Sequence, residues 1–199
     1  MLPSTPDVAP GGWRYARVAF FLAVPAVLLA PPVGAVCVLA GLASLWFHRD
    51  PERSPPPAGV VAPADGRVSV VRREGDRVRV AVFMNVTDVH VNRAPAPCTV
   101  RSVTHTPGRH LPAFTKESER NERVTLDCGE YELTLVAGAV ARRIHPYVEP
   151  GEDLERGERL GHISFGSRAD VLLPPEYDVG DVRVEEGQHV RAGETVVAA

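Results

Sequence analysis

Lysine is nearly missing from this chain: Lys116 is the only one among 22 basic residues in 199. It sits in the polar stretch AFTKESERNER, where a desolvated, activated amine is not expected. Cysteine is also sparse. Cys37, Cys98 and Cys128 are odd in number, scattered, and match no zinc or redox spacing, so no disulfide framework or metal is expected and all three read as small buried hydrophobes. The sequence has no nucleotide-binding loop and no serine-hydrolase elbow. No excess of positive charge is present either, since 22 basic residues face 25 acidic ones, and nucleic acid is excluded as a partner on that ground.

What is present falls into two parts. From Val18 to Phe47 there is no charged residue. As one helix those residues would reach roughly 45 Å at about 1.5 Å each, against a hydrocarbon core of roughly 30 Å. Pro31-Pro32 splits the run into two pieces, each too short to span comfortably, so one kinked span or a re-entrant helical hairpin is expected. Arg14 and Arg17 precede the run, Arg49 and Arg53 follow it, and Trp13, Tyr15 and Trp46 sit near its ends as interfacial aromatics do. A cleaved signal peptide would be shorter and end at a small-residue site. A buried core helix would not be followed by a linker such as HRDPERSPPPAG. Residues 1–47 are therefore read as a membrane-associating segment and 48–199 as a separate domain.

That domain is expected to be mainly β. Nineteen prolines and seventeen glycines leave little room for long soluble helices. GRVSVVRREGDRVRVAVFM reads as a hairpin around Gly75-Asp76, and VTLDCGEYELTLV as another around Gly129-Glu130. Turn signals every 8–12 residues point to a barrel or sandwich. Only LPAFTKESERNER hints at a helix. The tail VEEGQHVRAGETVVA is similar to half of a lipoyl-type barrel-sandwich hybrid, yet it has no lysine to carry a cofactor.

Several short motifs then stand in order: Asp65 in APADGRV, His90 in DVHVNR, HTPG at 105–108, RNER at 120–123 and Gly166-Ser167 in ISFGSRADV. Singly each has a plainer reading: a turn aspartate, a barrel histidine, a turn, a solvated charge cluster, a loop dipeptide. Jointly they resemble the phosphatidylserine decarboxylase proenzymes, in particular their short form. The resemblance implies self-cleavage between Gly166 and Ser167, into a large chain of residues 1–166 and a small chain of residues 167–199. Ser167 would become a pyruvoyl group, with no pyridoxal phosphate and no metal. Ser167 would act with Asp65 and a histidine. Longer members carry D-x-H-x-x-H, whereas here Arg93 stands where their second histidine would be. Either His90 serves both cleavage and decarboxylation, or His105, His110 or His145 replaces the missing ring. His90 is favoured because a strand-like alternation would aim Asp88, His90 and Asn92 to one face.

The resemblance further implies turnover of phosphatidylserine to phosphatidylethanolamine and CO2 through an imine with the pyruvoyl group, His90 returning the proton. Arg93, Arg109, Arg168 and His105 are candidates for meeting the substrate, arginine being well suited to phosphate. The partners implied are a phospholipid, the membrane and the two cleavage products themselves as a heterodimer open to further oligomerisation. The place implied is the cell membrane, and the lack of disulfide signals puts the domain on its cytoplasmic side. An ether-lipid analogue would present the same headgroup. A free amino acid as substrate would leave the membrane segment without purpose. A non-catalytic membrane-anchored adaptor would explain the apolar run and the tail, but not Asp65, His90 and Gly166-Ser167 together.

Overall fold

The computed structural model describes residues 7–109, 120–138, 144–163 and 167–199. The expected helix in LPAFTKESERNER falls largely outside them, as do His110, Lys116 and Gly166. The chain divides into two compact units, Met1–Glu52 and Arg53–Ala199.

The first unit is two helices, α1 (Gly12–Leu29) and α2 (Pro31–Phe47), with Ala30 between them. α1 starts six residues before the uncharged run and so is longer than the split at Pro31-Pro32 suggests. It is long and apolar enough to cross a membrane, while α2 is one residue shorter. The helices pack antiparallel. A Cβ on Gly41 would meet the ring of Phe20, and one on Gly34 would meet Val27, so both glycines permit close approach. Two short strands, β1 (Asp7–Val8) and β2 (Arg49–Asp50), pair across the open end.

The second unit is mainly β. Its largest sheet is an open one of seven strands: β15 (His189–Val190), β4 (Gly66–Glu74), β5 (Arg77–Met84), β14 (Ser167–Leu172), β10 (Glu132–Val136), β9 (Arg123–Asp127) and β8 (Ser102–Thr106), in that spatial order. A three-stranded sheet runs β11 (Ile144–Pro146), β13 (Arg159–Ile163), β6 (Val91–Arg93). Two pairs complete the unit: β12 (Asp153–Leu154) with β7 (Cys98–Thr99), and β16 (Val196–Ala198) with β3 (Val60–Val61). The hairpins at Gly75-Asp76 and Gly129-Glu130 are both present, each with its glycine at positive φ. No closed barrel forms among the described residues.

Alternation gives the seven-stranded sheet two unlike faces. Val80, Val82 and Met84 of β5, Ala169 and Val171 of β14, and Leu133 and Leu135 of β10 join the buried core. A register shift between Val68 and Val70 turns β4 so that Val68 and Val71 both meet that core. The other face is polar. There Asp170 receives Arg168 at 2.7 and 2.9 Å and Arg79 at 3.5 Å, and Arg79 also holds Glu74 at 2.6 and 2.7 Å.

Candidate active site

Ser167 is the first residue of β14, the central strand of the seven. It pairs with Met84, the last residue of β5. Its side chain shares the core-facing side with Ala169 and Val171 and is fully buried. The Oγ donates to the Met84 sulfur at 3.7 Å. A thioether is a weak acceptor, so little holds the hydroxyl away from a stronger base.

Asp65 lies at the same end of the sheet. The next residue, Gly66, opens β4 at a φ of 142° and presses on β5: a Cβ there would sit 2.1 Å from the Phe83 carbonyl oxygen. Glycine is required here by both space and backbone. Two interstrand spacings, about 10 Å, separate this end of β4 from the start of β14. Asp65 is buried, and its carboxylate accepts from Arg53 at 2.8 and 2.9 Å and from the Ala192 N–H at 2.8 Å. Arg53 also reaches Glu194 at 3.3 Å. Arg53 lies in the stretch that reads as a linker, where an isolated arginine among prolines carries no signal of a partner twelve residues away.

His90 immediately precedes β6 and is buried. Its carbonyl accepts from the Ile163 N–H at 3.3 Å, which ties it to the end of β13 just before the segment containing Gly166. Its Nδ1 lies 3.0 Å from the Asp88 carbonyl oxygen. A carbonyl can only accept, so Nδ1 carries the proton and, in the neutral ring, Nε2 holds the lone pair of a base. The expected alternation from Asp88 to Asn92 does not hold. Asp88 belongs to a tight turn, where it accepts from the Asn85 N–H at 2.7 Å and faces His189 at 3.2 Å, and the strand begins only at Val91. Asn92 does point inward: it is fully buried and donates to the same Met84 sulfur at 3.7 Å. Met84 thus joins Asn92 and Ser167, a contact no spacing rule would find.

The remaining candidates have partners inside the fold. Arg93 is buried with its guanidinium on the Gly157 carbonyl at 2.9 Å. Arg168 is held by Asp170 on the face opposite Ser167. His105, on the sheet edge in β8, faces Glu122 at 2.9 Å. The HTPG turn packs on RNER: Arg109 and Glu122 exchange backbone bonds with Arg120 and Arg109, and a Cβ on Gly108 would strike Asn121 and Glu122. These two motifs belong together for packing, at the end of the sheet where β14 begins.

His145 sits on β11, its ring stacked 4.6 Å from that of His162 on β13, whose Nδ1 meets the Tyr147 hydroxyl at 2.7 Å. His162 pairs in register with Val91, beside His90. In sequence nothing about GHIS distinguishes this histidine from an ordinary strand residue. Among the described residues no cluster of His, Cys, Asp and Glu could hold a metal. Cys98 and Cys128, far apart in sequence, come together: the Cys98 sulfur is 3.1 Å from the Tyr131 hydroxyl, and hydrogen bonding from Cys128 lowers its pKa to about 7 while that of Cys128 rises.

Comparison with known proteins gives the family. The family profile described as phosphatidylserine decarboxylase matches residues 41–198. A Halobacterium salinarum protein, provisionally named an archaetidylserine decarboxylase proenzyme, is 62% identical over 190 residues, covering 95% of this chain and 97% of its own. A phosphatidylserine decarboxylase proenzyme of Streptomyces griseus is 45% identical over 215 residues, covering 98% of each. One from Thermobifida fusca is 50% identical over 187 residues, covering 92% of this chain and 80% of its own. With the profile matching residues 41–198 and such identity along nearly the full chain, the protein belongs to the phosphatidylserine decarboxylase family, a family of self-processing carboxy-lyases.

Proposed function

We propose that this chain cuts itself between Gly166 and Ser167 and then decarboxylates the serine headgroup of a membrane phospholipid, phosphatidylserine yielding phosphatidylethanolamine. The observation that carries this reading is the position of Ser167. It is a buried hydroxyl with a weak thioether partner, at the first residue of the central strand, at the sheet end where Asp65 and the Asn92 side chain also converge.

In the cleavage step the Ser167 hydroxyl attacks the Gly166 carbonyl, and His90 Nε2 is the base that takes its proton. Elimination from the resulting ester frees the Gly166 carboxylate and leaves a dehydroalanine at 167, whose imine tautomer takes up water and releases ammonia, so that the small chain is capped by a pyruvoyl group. Ser167 suits that group: it is buried on the core-facing side of β14 beside Ala169, and neither lysine nor metal is needed. When formed, the pyruvoyl group supplies an electron sink for loss of the carboxylate. His90 then returns a proton to the substrate carbon. Asp65 holds the strand end in place through Arg53 and the Ala192 N–H. Arg93, Arg168 and His105 keep their internal partners and are not assigned to the phosphate.

The small chain would remain bound after cleavage. β14 is paired on both sides, by β5 and β10, and β15 and β16 pair with β4 and β3. Ala169, Val171, Val190 and Val197 are fully buried, and exposing them would cost about 25 cal/mol per Å². The mature enzyme is thus a heterodimer of its own products, attached to the membrane by residues 12–47. A second reading concerns the tails alone. The 62% identity to a relative provisionally named for archaetidylserine favours an ether-lipid substrate with the same headgroup.

Intact mass spectrometry of the wild type beside Ser167→Ala tests the proposal. Two chains are expected from the wild type, the smaller beginning with a pyruvoyl mass at position 167, and one whole chain from the variant. A wild type that stays whole in its membrane or in detergent overturns it. Assaying the processed enzyme on ester- and ether-linked serine lipids then separates the two tail readings.

A further inference from the structure

α1 and α2 carry most of the exposed large hydrophobic side chains of the described residues: Phe21, Leu28 and Leu29 are 78%, 82% and 86% exposed. The tip of the hairpin is the most apolar part, and it is also where a helix pair normally leaves backbone donors unpaired. Here none is left. The Ala30 N–H donates to Ala26 O at 2.8 Å; Pro31 and Pro32 have no N–H; Val33 and Gly34 donate to Ala30 O at 2.9 and 3.1 Å. A turn in water would not need this, since water would satisfy its donors. A turn in hydrocarbon would, because each unpaired group there costs several kcal/mol.

The opposite end is built for an interface. The β1–β2 pair, the Ala9 N–H on His48 O at 2.8 Å and the stack of Tyr15 on His48 bind the two ends to each other. Around them stand exposed Trp13, Tyr15 and Trp46, the exposed cations Arg14 and Arg17, and Arg49 lying 4.3 Å over the Trp46 ring. Arginine and indole at one level complement phosphate headgroups above and acyl chains below. As helices of 18 and 17 residues, α1 and α2 reach roughly 27 and 26 Å at about 1.5 Å per residue, just short of a hydrocarbon core of about 30 Å.

We infer that residues 12–47 enter the bilayer as a hairpin whose Leu29-Ala30-Pro31-Pro32 tip stays inside the hydrocarbon, so that the chain enters and leaves on one face of a phospholipid membrane. This rests on the membrane attachment proposed above and adds its topology. The clasped ends argue against a single span, and the uncharged tip, with its donors satisfied internally, favours a turn in hydrocarbon over one in water on the far side.

The test reconstitutes the full chain into phosphatidylcholine–phosphatidylglycerol vesicles. Single cysteines, Asp7→Cys, Ser54→Cys or Leu29→Cys, are placed in a chain with Cys37, Cys98 and Cys128 changed to Ala and probed with a membrane-impermeant maleimide. Positions 7 and 54 are expected to label from the same side, and position 29 from neither until detergent is added. Opposite sides for 7 and 54, or far-side labelling of 29, would overturn the hairpin while leaving attachment intact. Chains that do not float with vesicles at all would overturn attachment itself, and the hairpin with it. A measurement on the native sequence guards against misfolded variants: Trp13 and Trp46 should be quenched best by lipids brominated near the headgroup. Stronger quenching by deep bromines would contradict the geometry.

Discussion

The helical hairpin and the β unit use the same apolar residues in opposite ways. Leu133 and Leu135 are sealed inside the β unit, whereas Leu28 and Leu29 in the hairpin stand almost wholly exposed. In the β unit each strand alternates, so half its side chains build a core and half meet solvent. In the hairpin small residues at the helix contact, Ala16, Ala23, Gly34 and Gly41, and Phe47 at its open end are buried, while its large aliphatic side chains stand mostly outward. Burial in one unit comes from the chain itself; in the other it must come from a surrounding phase. Chemistry and attachment are accordingly separable, and perturbations should register in one unit without the other.

The largest effect is expected from His90→Gln. Self-cleavage should fail and CO2 release be lost with it, vesicle flotation staying unchanged; in any fraction that does process, decarboxylation should fall by about 10²–10⁴-fold. If the variant still cuts itself, the cleavage base is another histidine, and His145 and His162 become the rings to change next. Asp65→Ala should come second. It takes the bidentate partner from the buried Arg53 guanidinium and leaves it Glu194 alone, a loss of up to about 3–5 kcal/mol read by thermal melting. Asp65→Asn refines this: lost self-cleavage with a nearly normal melt would give the carboxylate a part in the chemistry, and the reverse would make it structural.

Leu135→Ala against Leu28→Ala tests the comparison itself. The first should cost about 2–5 kcal/mol of β-unit stability. The second should leave the melt where it was and weaken vesicle binding alone. Smaller still is the pH response of Cys98. Its lowered pKa predicts half-maximal alkylation by iodoacetamide near pH 7. The sign for stability is that of any depressed acid: the gain is full above the ordinary thiol value of 9 and fades as pH falls toward 7. Glu74→Gln should be least. Arg79 holds this carboxyl down at about 2, so its contribution is present above pH 4.5 and lost between 4.5 and 2. Solvent screening keeps it under about 1 kcal/mol in acid melts.

Much of the fold was legible along the chain. Hairpins announce themselves locally, through glycine at positive φ between alternating strands, and both were placed at the right residues. Local signals failed at 88–92, where the alternation belongs to a turn anchored by the Asp88 side chain on Asn85. Cys98 and Cys128 show the same limit from the other side: no spacing rule relates them, because their meeting depends on how β7 and the end of β9 pack around Tyr131.

The sequence by itself determined the mainly β domain, the uncharged N-terminal run, and the residues whose order matches the family, since these depend on residue type and near neighbours alone. Tertiary structure decided the rest. It put Ser167 on the central strand against Met84, gave Asp65 to Arg53, turned Arg168 to the far face, and brought His162 beside His90. It also folded the apolar run back on itself and clasped its ends. Each of these is a contact between residues distant in the chain, fixed by strand register and packing, and register is set by the whole sheet.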